Sequence, residues 1–228
     1  MVFKKAEARM SSQDKTSHTS LIAREGVPFI ILSFLLAIIL FFLGLQIAGG
    51  VFLVMTAFIA WFFRNPHRNT PNYEKLVIAP ADGRVLKLEE LSGVQHLIGP
   101  CKKISIFMTV FNVHVNRMPY AGLIESIRYE KGKFFSANLD KASTDNEKNI
   151  IKLRTNDDKE ILVVQIAGLI ARRIVCWVNE GSHVRSGERF GLIRFGSCVE
   201  VYLPVACNLA VKVGDKVTAG ETPIGYLE

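Results

Sequence analysis

The sequence is short of several things at once, and each shortage excludes something. Its 228 residues hold four cysteines, Cys101, Cys176, Cys198 and Cys207, with no C-x-x-C spacing. That argues against a disulfide framework and against a metal site, and reads as reduced, mostly buried thiols in a cytoplasmic domain. No G-x-S-x-G elbow occurs, which removes the ordinary α/β-hydrolase arrangement. No nucleic-acid-binding signature accompanies the net charge of +7, so the basic balance reads as a face held against an anionic leaflet. Charge itself is missing from Val27 to Phe63, where the chain runs "VPFIILSFLLAIILFFLGLQIAGGVFLVMTAFIAWFF".

That run is too long for one span, since a single helix needs roughly 20 residues to cross the hydrocarbon core. Between Gly44 and Gly50 the stretch "GLQIAGG" combines glycines with the one amide side chain of the run. The expectation is two short helices joined by a tight turn, over residues 27–63, preceded by a basic cytoplasmic tail over residues 1–26. Lys4, Lys5, Arg9, Lys15 and Arg24 precede the run, and Arg64 and Arg68 follow it. Positive charge on both flanks suits a hairpin whose ends both face the cytoplasm. "WFFRNP" is no small-residue cleavage site, and its aromatics suit the membrane interface.

Beyond the connector "RNPHRNTPNYEK", residues 64–228 are dominated by short strands. "LVIAPADGRVLKLEE" reads as a hairpin turning at Asp82-Gly83. "NIIKLRTNDDKEILVVQIAG" reads as another, turning at Asn156-Asp157-Asp158, and a bend is expected near Met118-Pro119. "LIARRIVCWV" fits a short helix or a strand. Glu180 to Gly191 and Val213 to Gly225 form an internal repeat that matches Gly181 with Gly214, Val184 with Val217, Gly187 with Gly220 and Glu188 with Glu221. These turns are similar to the hairpins of biotinyl and lipoyl carrier domains. The fold class expected is mainly β and barrel-like, with an N-terminal helical hairpin. A carrier role is disfavoured, because "RFGSCVEVYLP" between the repeats has no lysine to modify.

Three polar residues stand in apolar or turn-defined surroundings: Asp82 in "APADGRV", His114 in "MTVFNVHVNRMP" and Ser197 in "RFGSCVE". Serine needs a base, and the base needs an orienting carboxylate. A membrane-tethered serine hydrolase with an uncleaved triad would use these parts, and is the alternative reading. A serine after glycine has a second target, the Gly196 carbonyl, which no side chain shields. Attack by Ser197 shifts amide to ester. β-Elimination and hydrolysis of the resulting dehydroalanine then leave a pyruvoyl group.

Together with "FFRNPHRNTP", "FMTVFNVHVNRMPYAG", "GKFFSANLDKASTDNEKN" and "QIAGLIARRIVCWV", these pieces give the chain a resemblance to the phosphatidylserine decarboxylases of the short, membrane-anchored type, from about Phe62 to the C-terminus. The resemblance implies cleavage between Gly196 and Ser197, giving chains 1–196 and 197–228 that stay together as a heterodimer. It implies Asp82, His114 and Ser197 as the self-processing triad, a covalent pyruvoyl cofactor from Ser197, and no metal. Phosphatidylserine would form a Schiff base with the pyruvoyl group and lose CO2 to give phosphatidylethanolamine at the cytoplasmic membrane. Phe134 and Phe135 are expected to touch lipid, and Asn146 and Glu147 the headgroup. No nucleic-acid partner is expected, and homo-oligomerisation stays open. One departure is Cys198, where the family more often carries Thr or Arg.

Overall fold

The computed structural model describes residues 20–97, 99–136, 140–169, 173–194 and 197–228. The expected basic tail lies outside the described residues up to residue 19. The chain divides into two compact units, one ending at His67 and one from Arg68 to Glu228.

In the first unit a 3-10 turn, Arg24–Gly26, leads into α1 (Val27–Phe42), with proline in its opening turn. Proline suits that place because the first helical N–H groups have no partner within the helix. The chain then turns through Leu43–Leu45 into α2 (Gln46–Phe62). The break is tighter than the expected Gly44–Gly50 stretch. Gly44 supplies the positive φ of 76°, whereas Gly49 and Gly50 lie inside α2. Gly49 serves packing instead, since a Cβ there would come within 2.9 Å of the Phe41 ring. The helices are joined by a buried hydroxyl pair, Thr56 Oγ1 donating to Ser33 Oγ at 2.9 Å.

Most of the outer surface of this pair is apolar: Leu32 is 68% exposed, Val54 71% and Ile47 86%. Arg24–Phe42 is long and apolar enough to cross a membrane. The two ends of the hairpin are tied by an antiparallel bridge between Ile22 and Arg64. The Arg64 guanidinium sits 4.2 Å over the Trp61 ring, an amphipathic pairing suited to a membrane interface.

The second unit is mainly β. Its strands are β1 (Leu76–Ile78), β2 (Gly83–Leu91), β3 (Cys101–Met108), β4 (Val115–Arg117), β5 (Gly122–Glu130), β6 (Lys148–Arg154) and β7 (Glu160–Ala167). Then follow β8 (Ile174–Cys176), β9 (His183–Val184), β10 (Arg189–Ile193), β11 (Ser197–Pro204), β12 (Asn208–Leu209), β13 (Lys216–Val217) and β14 (Pro223–Tyr226). A one-and-a-half-turn helix, α3 (Asp140–Asp145), precedes β6. The strands form a curled half-barrel sheet in the order β13-β2-β3-β11-β7-β6-β5-β9 and two three-stranded sheets, β1-β14-β12 and β4-β10-β8.

The β6–β7 hairpin turns where expected, and of the segment left between helix and strand, Ile174–Cys176 is strand. Asp82-Gly83 does not close a hairpin. β1 pairs with β14, and β2 pairs with β3 and β13, so the Asp82 turn passes the chain from one sheet to another. The reason lies in the second half of the repeat. Gly214 N–H donates to Val85 O at 2.8 Å and Gly220 N–H to Ala79 O at 2.8 Å. Their counterparts Gly181 and Gly187 donate to Ile124 O at 2.8 Å and Met118 O at 2.9 Å. Each glycine hairpin thus grips a partner segment, "APADGRV" in one half and "MPYAGLI" in the other. The two segments also clasp each other: Ile78 N–H donates to Pro119 O at 3.0 Å and Arg117 N–H to Pro80 O at 2.8 Å.

β11 lies in the middle of the large sheet, between β3 and β7. Side chains alternate along a strand, so Val199, Val201 and Leu203 enter the main core while Cys198 joins a second cluster with Ile150, Leu162, Val164 and Ile166. Both faces of the sheet are therefore covered here, and β7 reads as a continuous apolar run rather than an alternating one.

Candidate active site

Ser197 opens β11, with Met108 of β3 and Ala167 of β7 as its two register partners. Its hydroxyl is buried and has no hydrogen-bond partner among the described residues. A buried hydroxyl normally finds a partner because leaving it unpaired costs about 1–3 kcal/mol. Such an exception at the first residue of a central strand calls for an explanation. Gly196 lies outside the described residues, as does Phe195.

His114 reaches the same end of the sheet by a different route. It immediately precedes β4, which pairs with β10, and its carbonyl accepts Ile193 N–H at 3.4 Å. Ile193 is the last residue of β10 before the link to Ser197. Nδ1 of His114 lies 3.0 Å from the Asn112 carbonyl. A carbonyl can only accept, so Nδ1 carries a proton, and in the neutral ring Nε2 then holds the lone pair. The ring is fully buried. A backbone carbonyl thus fixes the tautomer that a base acting through Nε2 requires.

Asp82 lies at this end too, just before Gly83, where an added Cβ would strike the Phe107 carbonyl next to Met108. Its carboxylate is engaged elsewhere. Oδ1 accepts the Ala219 N–H at 2.8 Å, and Oδ2 is 2.9 Å from Arg68 Nη2. Arg68 also lies 3.5 Å from Glu221. The buried Arg117 is held down to about 10, by burial first and then by the nearby Arg189 and Arg68 cations. It donates to the Gly187 carbonyl at 2.9 Å. Ser197 and His114 therefore flank the link between β10 and β11, while Asp82 anchors the turns beside them.

The four residues of the polar segment divide in the same way. Asn146 is buried, and its amide is spent on backbone: Nδ2 donates to Phe135 O at 2.8 Å and Ala167 O at 2.7 Å, and Oδ1 accepts Phe135 N–H at 2.8 Å. It thereby straps the Phe135 backbone to the residue opposite Ser197. The Glu147 carboxylate accepts the Tyr129 hydroxyl, which burial and that carboxylate push up to about 12. Phe134 packs against the main core, and Phe135 carries the Lys133 ammonium 5.6 Å above its ring.

A model of the family "Phosphatidylserine decarboxylase" matches residues 55–225. The chain belongs to the phosphatidylserine decarboxylase family. It is 56% identical to the phosphatidylserine decarboxylase proenzyme of Syntrophus aciditrophicus, over 91% of this chain and 98% of that protein. It is 48% identical to the proenzyme of Desulfotalea psychrophila, over 90% and 96% of the two chains, and 46% identical to that of Geotalea uraniireducens over the same shares. It is accordingly an enzyme of the decarboxylase class, and the serine hydrolase alternative finds no support.

Sequence reasoning passed over several residues of this region. Arg68 stood in the connector "HRNTP" as a membrane-flanking charge, with nothing to mark its carboxylate partner. Glu200 was visible as an acid in the apolar strand "CVEVYLP". It is buried and accepts Ser105 Oγ at 3.1 Å, Ser143 Oγ at 2.7 Å and Tyr202 OH at 2.7 Å. Gln165 was the lone polar residue of "ILVVQIAG", and that isolation was its signal. Burial pushes the Cys198 thiol far up, so this residue stands after Ser197 as a small neutral group facing the second cluster.

Proposed function

We propose that this decarboxylase makes its own prosthetic group from Ser197 and uses it to convert phosphatidylserine to phosphatidylethanolamine and CO2. The observation that carries the reading is the buried Ser197 hydroxyl, without a partner among the described residues, in a chain whose relatives are named proenzymes. In the first step His114 Nε2 takes the hydroxyl proton while Ser197 Oγ attacks the Gly196 carbonyl carbon. The Gly196–Ser197 C–N bond breaks, its nitrogen is protonated, and an ester replaces the amide. Loss of the Ser197 Cα proton and of the ester oxygen from Cβ releases Gly196 as a carboxylate. Water then replaces the amine of the resulting dehydroalanine, ammonia leaves, and a pyruvoyl group caps β11.

When present, that ketone supplies an electron sink for decarboxylation of an amine-bearing substrate. The residues around it have the roles of holding and shaping. β3 and β7 fix the end of β11 from both sides, and Asn146 fixes the Phe135 backbone beside it. In this reading Phe134 and Phe135 border the lipid, and Asn146 and Glu147 act by holding that segment. Asp82 holds the Ala219 turn of the small chain. Burial at the start of β11 favours loss of a carboxylate, whose negative charge water would otherwise stabilise.

The hairpin in this reading sits in the cytoplasmic membrane with the β unit on the cytoplasmic face. Its support is the apolar outer surface, the length of Arg24–Phe42, and the joined ends flanked by arginines. A substrate that stays in the bilayer then meets an enzyme that does the same.

The test is the intact mass of detergent-purified wild type beside Ser197→Ala. Two chains breaking between Gly196 and Ser197 are expected for the wild type, with a small chain that resists Edman sequencing and is trapped by amine plus cyanoborohydride. Ser197→Ala should remain whole and release no CO2 from phosphatidylserine vesicles. An uncut wild type that still decarboxylates would overturn the pyruvoyl reading.

A further inference from the structure

The main core is crossed by a line of amides. Asn149 in β6, Gln165 in β7 and Asn116 in β4 are each at most 1% exposed. Asn149 Nδ2 donates to Gln165 Oε1 at 3.0 Å, and Gln165 Nε2 donates to Asn116 Oδ1 at 2.8 Å. Asn116 Nδ2 in turn faces the sulfur of Met108 at 3.7 Å. Every amide in the line points its donor the same way. Buried amides are costly unless satisfied, and aliphatic side chains would fill this interior more simply. Their retention calls for a reason beyond packing.

Space is reserved for the line as well. Gly191 of β10 lies under the middle amide, and a Cβ there would come within 3.0 Å of Gln165 Nε2 and closer still to the Val175 carbonyl. The glycine lets Gln165 pass over β10 to reach β4, so one hydrogen bond ties the three-stranded sheet to the large one.

The endpoints give the line its meaning. Met108 is the register partner of Ser197, and Gln165 lies two residues before Ala167, the other partner. Asn116 lies two residues after His114, and its strand pairs with β10, whose continuation is the link to Ser197. His114 is thus on one sheet and Ser197 on the other, and the Gln165–Asn116 bond sets how the two sheets meet.

We propose that Asn149, Gln165 and Asn116 form a positioning line that holds the His114 strand in register with Ser197 for self-cleavage. This rests on the self-processing reading above. None of the three touches the reacting atoms. They act through the place of the His114 ring. A hydrogen-bonded line suits that task better than aliphatic contacts, because it fixes direction as well as distance.

The test uses the full chain made by cell-free translation into lipid nanodiscs, with the half-time of precursor conversion followed on gels. Gln165→Met keeps length and apolar fit while removing both hydrogen bonds. It leaves Asn149 and Asn116 each short of a partner, so it is expected to fold with a lowered thermal midpoint and, compared as folded protein, to cleave at least ~10-fold more slowly. The same substitution is then made in a His114→Gly chain whose cleavage is restored by added imidazole. Free imidazole does not depend on the β4 register, so there Gln165→Met is expected to slow cleavage less than about twofold. Wild-type speed in folded Gln165→Met, or an equal loss in both backgrounds, would overturn the proposal. Should Gln165→Met fail to fold, Asn149→Leu carries the same comparison from the far end of the line. A wild type that never cleaves would defeat the self-processing reading instead, and a wild type that cleaves beside an equally fast Gln165→Met defeats this proposal alone.

Discussion

Arg68 Nη2 and Ala219 N–H meet at the two oxygens of Asp82, at 2.9 Å and 2.8 Å. If the chain is cut before Ser197, Asp82 joins two segments of the large chain, the connector and its own turn, to the small chain. Asp82→Asn keeps an acceptor for Ala219 and loses the ion pair, leaving Arg68 with Glu221 at 3.5 Å. Asp82→Ala loses both. Breaking a partly buried pair by removing one partner costs about 1–3 kcal/mol after screening. Asp82→Ala is expected to lose that much stability and to cleave at least ~10-fold more slowly, with Asp82→Asn between it and the wild type. Conversion half-times beside urea midpoints will separate the two effects. Wild-type cleavage by Asp82→Ala would remove Asp82 from processing and leave it a structural cap.

The cut small chain should not leave. β11 is hydrogen-bonded on both edges over most of its length, and Val199, Val201 and Leu203 are fully buried. Fully burying a Val or Leu side chain is worth about 1.5–3 kcal/mol, so these three alone contribute roughly 5–9 kcal/mol. The β13–β2 and β14–β1 pairs add further attachment. The two fragments are expected to co-elute through size-exclusion chromatography in mild detergent and to separate only in denaturant. Separation in detergent alone would mean that cleavage remodels the sheet.

Stability should fall at alkaline pH. Burial, then the nearby Glu200 carboxylate, raises the Tyr202 hydroxyl strongly, and burial does the same to Cys198. In the unfolded chain these groups titrate near their ordinary values, about 10 for tyrosine and 8.5 for cysteine. Above those values the unfolded chain releases protons that the folded chain keeps, so the unfolded state gains. Their contribution is fully present below about pH 8 and is lost as pH rises, at up to about 1.4 kcal/mol per pH unit for each group. Urea midpoints at pH 8, 9, 10 and 10.5 are expected to fall progressively. In Tyr202→Phe the fall above pH 10 should be shallower. Parallel curves for the two proteins would mean that Tyr202 ionises as freely in the folded state as in the unfolded one.

The sequence shows the repeat in the C-terminal turns because glycine is demanded there. Gly181, Gly187, Gly214 and Gly220 all have positive φ, a conformation that other residues adopt at a cost. The partner half is harder to see, since "APADGRV" and "MPYAGLI" share only a proline and a glycine at matching places. What they have in common is backbone pairing, which constrains side chains weakly. The same blindness explains the Asp82-Gly83 error. A turn dipeptide between two apolar runs says that the chain bends, but not that the runs pair with each other. Ser197 and His114 stood out as polar residues in apolar surroundings, and both are buried, while the roles proposed for them came from the family resemblance. Gln165 stood out in the same way, yet its meaning needed Gly191 and Asn116, which are distant in sequence. Asp82 was legible as a residue of interest, while its partners Arg68 and Ala219 depend on how the connector and the repeat fold together.

The repeat offers an internal control on backbone strain. Gly214 and Gly220 have similar geometry in one hairpin, with φ of 95° and 77°. Around Gly214 a Cβ would meet nothing within 4 Å, whereas at Gly220 it would lie 2.6 Å from Arg117 Cδ. Gly214→Ala therefore bears the left-handed backbone cost alone, about 1–2 kcal/mol. Gly220→Ala adds displacement of a buried arginine whose Nη1 donates to the Gly187 carbonyl, which should bring the total to roughly 2–4 kcal/mol. Because Arg117 closes β4, three residues after His114, Gly220→Ala should also slow self-cleavage by shifting that strand, while Gly214→Ala should leave its rate unchanged once both are compared as folded protein. Urea midpoints and conversion half-times on the pair provide the check. Equal losses of stability would show that Arg117 yields without cost, and the distinction between the two glycines would then reduce to φ alone.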